Sequence, residues 1–567
     1  MGRSMVVVIG LGLVAGCGDS VATSATDGST GAGGSTEAVV TGSGSSGGSS
    51  GASTSTSTSG VSATGSGTDT PTATGDPTGP QTGETTVEVT ITGTSGADDT
   101  SSGGGSTTGT TGDGTTGDGT TGDDTTGDDT TGDGTTGEPP PEIGPFDVDD
   151  LEAGHGHACA VLHSGKVKCW GGYASSGDLG VGDIKPYGTM PGTMGDKLPF
   201  VDLGQGLLAS AITSYYTGCA IVTGGKLKCW GDATFGALGS GAGAALGDEP
   251  GEMGDKLPFV DVGVGRTVKQ VVAAVWTVCV VLDDDSAKCW GWNGNGWLGQ
   301  GDKNDRGDGP NEMGDNLKPI ALGAGRKVKK IALDNSHACA LLDDATVKCW
   351  GQQTEGNLGN GLPGLGAVGD MPNEMGDNLP VIALGAGRTV KDLALGGRHA
   401  CVILDNDKVK CWGSNEYGQL GLGDKQYRGD GPGEMGDALP YVDLGAGRTA
   451  VKISASYFHS CALLDNQDMK CWGHGAFGAL GQGDTQHRGD DPGEMGDNLK
   501  PIALGAGRHA IKAVPGALYI CALLDNHKVK CWGMGGEQGA LGYEDMNARG
   551  DMPGEMGDAL PYVNLGG

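Results

Sequence analysis

The chain has 567 residues and a formal net charge of −34 at pH 7, with 70 Asp and Glu against 36 Lys and Arg. Nucleic acids and anionic membranes are bound through patches of Lys and Arg, so this composition argues against electrostatic binding to either. All Trp, Tyr and Phe residues lie from Phe146 onward. The composition therefore predicts that only the C-terminal part, about three-quarters of the chain, buries enough apolar surface to fold.

Residues 1–16 have the pattern of a signal peptide. Arg3 precedes an apolar run at 5–15, and small residues follow. The run is too short to span a bilayer as a helix. The sequence LVAGC at 13–17 resembles a bacterial lipobox, which implies cleavage before Cys17 and attachment of lipid to its thiol. We expect a lipoprotein held in the cell envelope, at the outer membrane or cell surface, by the lipid on Cys17 alone. The alternative is an ordinary secretory signal with an incidental Cys, and both interpretations place the protein outside the cytoplasm.

The segment 17–143 is predicted to be a disordered linker. Beyond Cys17 it consists almost wholly of Gly, Thr, Ser, Asp and Ala, which cannot offset the entropy lost on ordering. A chain of this kind spans on the order of 60 Å. Its repeated TTGDG and TTGDD units at 107–138 lack the defined cage of oxygen ligands that Ca²⁺ requires, so a solvated spacer is the preferred interpretation.

Seven repeats follow in the segment 144–567. Cys-Trp-Gly recurs every 60 residues, once every 62, and another Cys stands ten positions before each copy. The pairs are Cys159 and Cys169, Cys219 and Cys229, Cys279 and Cys289, Cys339 and Cys349, Cys401 and Cys411, Cys461 and Cys471, and Cys521 and Cys531. The remaining Cys is Cys17, so every other Cys has a partner by position.

Each repeat has the pattern of four short strands. The strands present at the two ends of the chain predict that the repeats form a ring. In the third repeat the strands are 257–262 (a), 268–274 (b), 277–282 (c) and 287–290 (d). Regular short strands at this period indicate a propeller or a β-solenoid. The first repeat lacks strand a, whereas the chain ends on an a strand at 560–565. Placing that last strand on the first blade would complete seven four-stranded sheets and remove the free edges, so we expect an all-β, seven-bladed propeller.

The repeats resemble those of the regulator of chromosome condensation (RCC1) family. The matching segments include HACVIL at 399–404, VKCWG at 409–413 and YGQLG at 417–421. The resemblance covers about residues 146–567, nearly three-quarters of the chain, and implies a seven-bladed β-propeller. The chain departs from the usual repeat in its Cys pairs and in an enlarged loop between strands d and a.

The Cys pairs are predicted to be disulfides. Each pair would close a c–d hairpin with its Cα atoms within disulfide range, and an exported protein lives where disulfides persist. Zinc or redox chemistry is the alternative, but isolated pairs spaced by nine residues cannot fill a Cys₄ site. No catalytic motif is present, and we predict neither a catalytic residue, a metal nor a cofactor.

Two further recurring positions have structural and functional interpretations. The position two before each first Cys holds His157, Thr217, Thr277, His337, His399, His459 and Tyr519, and its recurrence favours hydrogen bonding within the fold. Met-Gly-Asp recurs in all seven d-to-a loops, which favours a packed and turned loop. The alternatives for these loops are Ca²⁺ binding by Asp302, Asp308, Glu312 and Asp315, or cell adhesion through the Arg-Gly-Asp sequences that begin at 306, 428, 488 and 549.

The predicted function is a monomeric, non-enzymatic scaffold that binds an unknown protein or glycan through its loop faces. Guanine-nucleotide exchange, the activity of the family namesake, is one alternative, and export disfavours it because it requires an intracellular GTPase. A propeller enzyme, such as a lyase or hydrolase, is the other.

Overall fold

A computed structural model describes residues 143–172 and 176–567. Cys17, the signal sequence and the linker expected at 17–143, except its last residue, lie outside the described residues. The described part contains β-strands and short 3₁₀ helices and no α-helix. None of its helices is long and apolar enough to cross a membrane.

The strands form seven antiparallel sheets, one for each repeat, and these are the blades of the predicted propeller. In chain order they are β1 (Val148–Ala153), β2 (His157–Leu162) and β3 (Val167–Gly171); β4 (Ala209–Ser214), β5 (Thr217–Val222) and β6 (Lys226–Gly231); β7 (Val268–Ala274), β8 (Thr277–Leu282) and β9 (Ala287–Gly291); β10 (Val328–Leu333), β11 (His337–Leu342), β12 (Val347–Gln353) and β13 (Gly366–Val368); β14 (Val390–Gly396), β15 (His399–Leu404) and β16 (Val409–Gly413); β17 (Ala450–Ser456), β18 (His459–Leu464) and β19 (Met469–Gly473); and β20 (Ala510–Pro515), β21 (Tyr519–Leu524) and β22 (Val529–Gly533).

The 3₁₀ helices are all in the d-to-a loops. Seven of them contain the Gly-Asp of the Met-Gly-Asp motif and two lie just after strand d. The first group is Gly195–Lys197, Gly254–Lys256, Gly314–Asn316, Gly376–Asn378, Gly436–Ala438, Gly496–Asn498 and Gly557–Ala559, and the second is Thr234–Gly236 and Ala476–Gly478.

The three strands of a blade run from the axis of the ring outward in the order b, c, d. Residues of all seven b strands line a central cavity of about 480 Å³. Every residue of every c strand is buried, because this strand lies between two strands of its own sheet and between two neighbouring sheets. The seven Trp of Cys-Trp-Gly on strand d are fully buried as well. The apolar core therefore lies between the blades.

The predicted a strands are extended segments that pair with the preceding blade. In the third repeat, Val260 N donates to Leu227 O of β6 at 2.9 Å. Each such segment contains a proline, for example Pro258, and a proline has no N–H for a sheet ladder. This pairing corrects the expectation that segment a belongs to the following blade. Each blade is a continuous stretch in the order b, c, d, a.

The terminal segment is likewise part of the last blade, and it also seals the ring against the first. Val563 N donates to Val529 O of β22 at 2.8 Å. On its other side, Leu565 O accepts from Lys168 Nζ of β3 at 2.8 Å. Lys288 Nζ donates to Val262 O at 3.0 Å in the same way between the second and third blades. The seam between the chain ends therefore repeats the geometry of an internal seam.

Candidate ligand-binding face

The seven Cys pairs are joined as disulfides between strands c and d, each linking Cys n to Cys n+10. In every pair the Cα atoms are 4.1 Å apart. The cysteines are opposed in the sheet register, as in Cys279 against Cys289, and all fourteen are buried. They hold hairpins together and lie away from any surface that a ligand could reach.

The recurring His, Thr and Tyr position also lies inside the fold. His399 Nε2 is hydrogen-bonded to Ser460 Oγ of the next blade at 2.9 Å. Thr277 Oγ1 donates to Trp292 O at 3.1 Å, and Tyr519 OH donates to His157 O of the first blade at 2.6 Å. Burial lowers the pKa of the His337, His399 and His459 side chains to about 3. These histidines are therefore uncharged parts of the core.

The carboxylates of the d-to-a loops accept hydrogen bonds from their own loops or from a neighbouring turn. Asp302 Oδ2 accepts from Arg306 Nη2 at 2.7 Å. Glu312 Oε2 accepts from the N–H groups of Gly307 and Gly309 at 2.9 and 2.8 Å. Asp315 Oδ1 accepts from Val264 N at 3.2 Å.

These contacts explain how the d-to-a loops are held in fixed turns. Among the described residues, no group of three or more His, Cys, Asp or Glu is placed to hold a metal ion. Within the Arg-Gly-Asp sequence at 306–308, Gly307 is buried and its carbonyl group accepts from Gly241 N of the preceding blade at 3.0 Å, while Asp308 is exposed. The geometry favours the structural interpretation of the loops over calcium binding or adhesion.

One end of the ring carries the residues in which the repeats differ most. The turns between strands b and c lie beside the residues that follow Cys-Trp-Gly, since Trp292 N donates to Trp276 O at 2.9 Å and His474 N to Phe458 O at 2.9 Å. We call this end the upper face. After Cys-Trp-Gly the seven repeats have Gly172, Asp232, Trp292, Gln352, Ser414, His474 and Met534. The upper face is therefore where a repetitive molecule acquires distinct surface chemistry.

Eight rings on the upper face form a continuous chain of contacts, the aromatic stripe. Its members are His155, Tyr215, Tyr216, Tyr417, Tyr457, Phe458, His474 and His487. The ring centroids of successive neighbours lie 4.6–6.4 Å apart. Tyr215 of the second blade and Tyr457 of the sixth share a hydrogen bond between their hydroxyls, so the stripe crosses the axis of the ring.

A second aromatic cluster lies on the third blade and its neighbour. Trp292 lies 6.4 Å from Trp276 and 5.1 Å from Trp297, both edge to face, and Phe235 lies 5.3 Å from Trp276. Phe235 is 38 % exposed. Two aromatic surfaces therefore occupy the same face.

Beneath the stripe, the mouth of the central cavity brings together groups from different blades. Burial raises the pKa of Asp334 to about 7. Burial also raises the pKa of Tyr215 well above its usual value, and the neighbouring Tyr457 and Asp334 add to the effect. Further along the wall, Lys512 Nζ donates to Asp150 and Glu152 at 2.7 and 2.6 Å across the closing seam. Lys330 and Asp392 form a second such pair, between the fourth and fifth blades, whereas Lys452 donates to the carbonyl group of Ile511.

None of the stripe residues was predicted as a binding residue. The sequence did contain one signal for these residues. The seven repeats are nearly identical, and they differ most in the b–c turns and just after Cys-Trp-Gly. Which of those residues meet across the axis depends on ring closure, and no single repeat contains that information.

The comparisons with known proteins agree with the repeat pattern. One family model, described as regulator of chromosome condensation (RCC1) repeat, matches residues 328–357, 390–419 and 450–479, and a second of the same description matches 406–463. The fold is thus that of a seven-bladed β-propeller, and the chain carries RCC1 repeats.

The proteins similar to this chain include a receptor, a ubiquitin ligase and yeast RCC1. The ultraviolet-B receptor UVR8 of Arabidopsis thaliana is 25% identical over 400 residues, covering 69% of this chain and 78% of the receptor. The human E3 ubiquitin-protein ligase HERC2 is 27% identical over 210 residues, covering 37% of this chain and 4% of the ligase. The structure of yeast RCC1 (Prp20) bound to Kap60 aligns with a TM-score of 0.49 and 16% identity, over 74% of this chain and 85% of that one.

Proposed function

We propose that the chain is an exported, lipid-anchored and non-enzymatic binding module that holds a protein or glycan on its upper face. The observation that carries the proposal is the aromatic stripe, in which residues from the first, second, fifth and sixth blades form one surface. Aromatic residues and Arg dominate the energetics of protein interfaces. The large rigid rings of Tyr and Trp lose little entropy on binding. The folding of a ring of nearly identical repeats does not require aromatic residues to be distributed unequally among the blades.

The remainder of the molecule supports a rigid scaffold. The disulfides close every c–d hairpin, and buried lysines of four d strands donate to carbonyl groups of the neighbouring blade, namely Lys168, Lys288, Lys410 and Lys470. Binding residues held on such a frame lose little freedom when a ligand arrives. A GTPase partner is not part of the proposal, because the predicted signal sequence directs the chain out of the cytoplasm.

The test is affinity capture from envelope and culture-fluid fractions with the full chain. Tyr457→Ser combined with Phe458→Ser removes the centre of the stripe, and Tyr441→Ser removes a tyrosine that is 40 % exposed outside the upper face. We expect a ligand that the parent and the Tyr441 variant retain and the double variant loses. Equal capture by all three proteins, with unchanged melting temperatures, would exclude the upper face as the binding site.

Anchoring is tested separately from binding. Cys17→Ala removes the thiol expected to carry lipid, so the protein should move from the membrane fraction to soluble or unprocessed forms in cell fractionation. A variant that still partitions with membranes would contradict the lipoprotein assignment and leave the binding proposal untouched.

A further inference from the structure

The aromatic stripe is accompanied by carboxylates. Glu416 is exposed and immediately precedes Tyr417 of the stripe. It also lies near Tyr427, whose pKa is raised by burial and then by the charges of Glu355 and Glu416. At the other end of the stripe, Tyr216 lies near Asp232 and Asp178. Asp232 is half-buried and accepts from Thr234 N at 2.8 Å, and Asp178 is buried beside His157. Negative charge therefore flanks both ends of the row of rings.

Positive charge on this face is scarce and already engaged. No lysine occurs in the b–c turns or directly after Cys-Trp-Gly. Arg398 donates to Glu355 at 2.9 Å. The guanidinium groups of Arg428 and Arg488, next to Tyr427 and His487, donate to Asp424 and Asp484 of their own loops at 2.7 and 2.6 Å. In contrast, Glu416 takes part in none of the ion pairs of the described residues.

We propose that the upper face binds an arginine-bearing basic segment of a partner protein, with guanidinium groups stacked on the stripe and paired with Glu416 and Asp232. This inference rests on the proposed function and names its ligand class. The planar guanidinium stacks on Tyr and Phe faces through cation–π attraction and donates to carboxylates through its N–H groups. A chain of charge −34 attracts such a segment and repels an acidic one.

The other classes of ligand would use fewer of the groups on the upper face. A neutral glycan stacks on aromatic rings but makes no use of the unpaired Glu416 or of the overall negative charge. A lysine-rich segment satisfies the charge, yet its compact and strongly hydrated ammonium matches the flat rings less well than a guanidinium does. The arginine segment uses the rings and the carboxylates together.

The experiment titrates the full chain with a synthetic 12-residue Arg-Gly-Ser repeat peptide and measures binding by calorimetry at low and high salt. Matched peptides with Lys or Glu in place of Arg, and a neutral oligosaccharide, serve as comparisons. We expect the Arg peptide to bind, the Lys peptide to bind about threefold or more weakly, and the Glu peptide not to bind. Affinity should fall as salt increases.

Variants locate the binding. Glu416→Gln and Phe458→Leu should each lower the affinity for the Arg peptide by about threefold or more. The second variant does so because leucine remains apolar but has no ring face for a guanidinium to stack on. Asp149→Asn, at the exposed start of β1 at the opposite end of the ring, should change nothing. Equal binding by parent and stripe variants, or binding of the oligosaccharide alone, overturns the inference.

Different results would contradict the proposed binding module and the proposed basic ligand. If the Tyr457 and Phe458 double variant loses the captured ligand while the Arg peptide does not bind the parent, the binding module stands and the basic segment is wrong. If neither the captured ligand nor the peptide depends on the stripe, both are wrong.

Discussion

At the scale of single residues, the seven lysines before the second Cys of each pair each donate to a Met-Gly-Asp loop, and four of them also join neighbouring blades. Lys288 Nζ donates to Val262 O of the preceding a segment at 3.0 Å and to Gly314 O of the next Met-Gly-Asp loop at 2.8 Å. Lys410 and Lys470 repeat both contacts. A lysine on an outer strand is expected to be exposed, whereas the structure buries Lys288 and its ammonium group donates to two carbonyl groups.

Lys288→Met tests this role. The variant keeps an unbranched side chain of nearly the same length but removes the donor to the carbonyl groups of Val262 and Gly314, and we expect a loss of about 2–3 kcal/mol in the free energy of unfolding. Lys269→Met, at an exposed pair with Asp285, should cost less than about 1 kcal/mol. Urea titration measures both. Equal losses would mean that the buried contacts contribute no more than a surface ion pair.

The buried histidines predict sensitivity to acid. The pKa of His399 is about 3 in the folded chain because burial disfavours its charged form, whereas the unfolded chain has a value near 6.5. As pH falls, the unfolded state binds the proton first. The stability that His399 contributes is therefore complete above about pH 6.5 and is lost toward pH 3, by about 1.4 kcal/mol per pH unit.

His399→Thr should flatten this dependence, since Thr217 and Thr277 occupy the same position in other blades. The measurement is the free energy of unfolding between pH 6.5 and 4.5. The variant is expected to lose less stability over that range than the parent, while His163→Thr, at an exposed histidine, should follow the parent. A parallel slope for His399→Thr would show that this histidine is charged, or exposed to water, in the folded state.

At the scale of elements, the c–d hairpin with its disulfide is the repeating unit of stability. Removing one disulfide by Cys339→Ala with Cys349→Ala should lower the free energy of unfolding by about 2–3 kcal/mol, because the unfolded chain regains the freedom of a short loop. The buried c strands still supply apolar contact, so the variant should fold. A non-reducing peptide map of the parent should contain links only between Cys n and Cys n+10. A link between blades would contradict the hairpin arrangement.

Strands c and d were predictable because their signals are local. The Cys spacing, the alternation in strand d and the turn residues all lie within a dozen positions, and register follows from them. The a segment was predicted as a strand of the following blade because its apolar residues suggest pairing without saying with which neighbour. The hydrogen bond from Val260 to Leu227 is long-range, and Pro258 removes the regular ladder that would have marked a strand.

At the scale of the whole molecule, ring closure determines both stability and the binding face. The repeat count and the complementary ends predicted the ring, although the terminal segment completes the last blade and only packs against the first. Tyr215 and Tyr457 meet because the second and sixth blades face each other across the axis. Their meeting follows from closure, which is why the aromatic stripe could not be read from any repeat alone.

The most direct test of the closed ring is the thermal unfolding of a chain that lacks residues 560–567. This deletion removes the buried Leu560, Val563 and Leu565 and the carbonyl group that accepts from Lys168, leaving the seam between the first and last blades open. We predict loss of cooperative unfolding, or aggregation, whereas deletion of residues 18–137 should leave the melting curve nearly unchanged. A C-terminal truncation that unfolds as cooperatively and at the same temperature as the parent would contradict the closed seven-bladed ring.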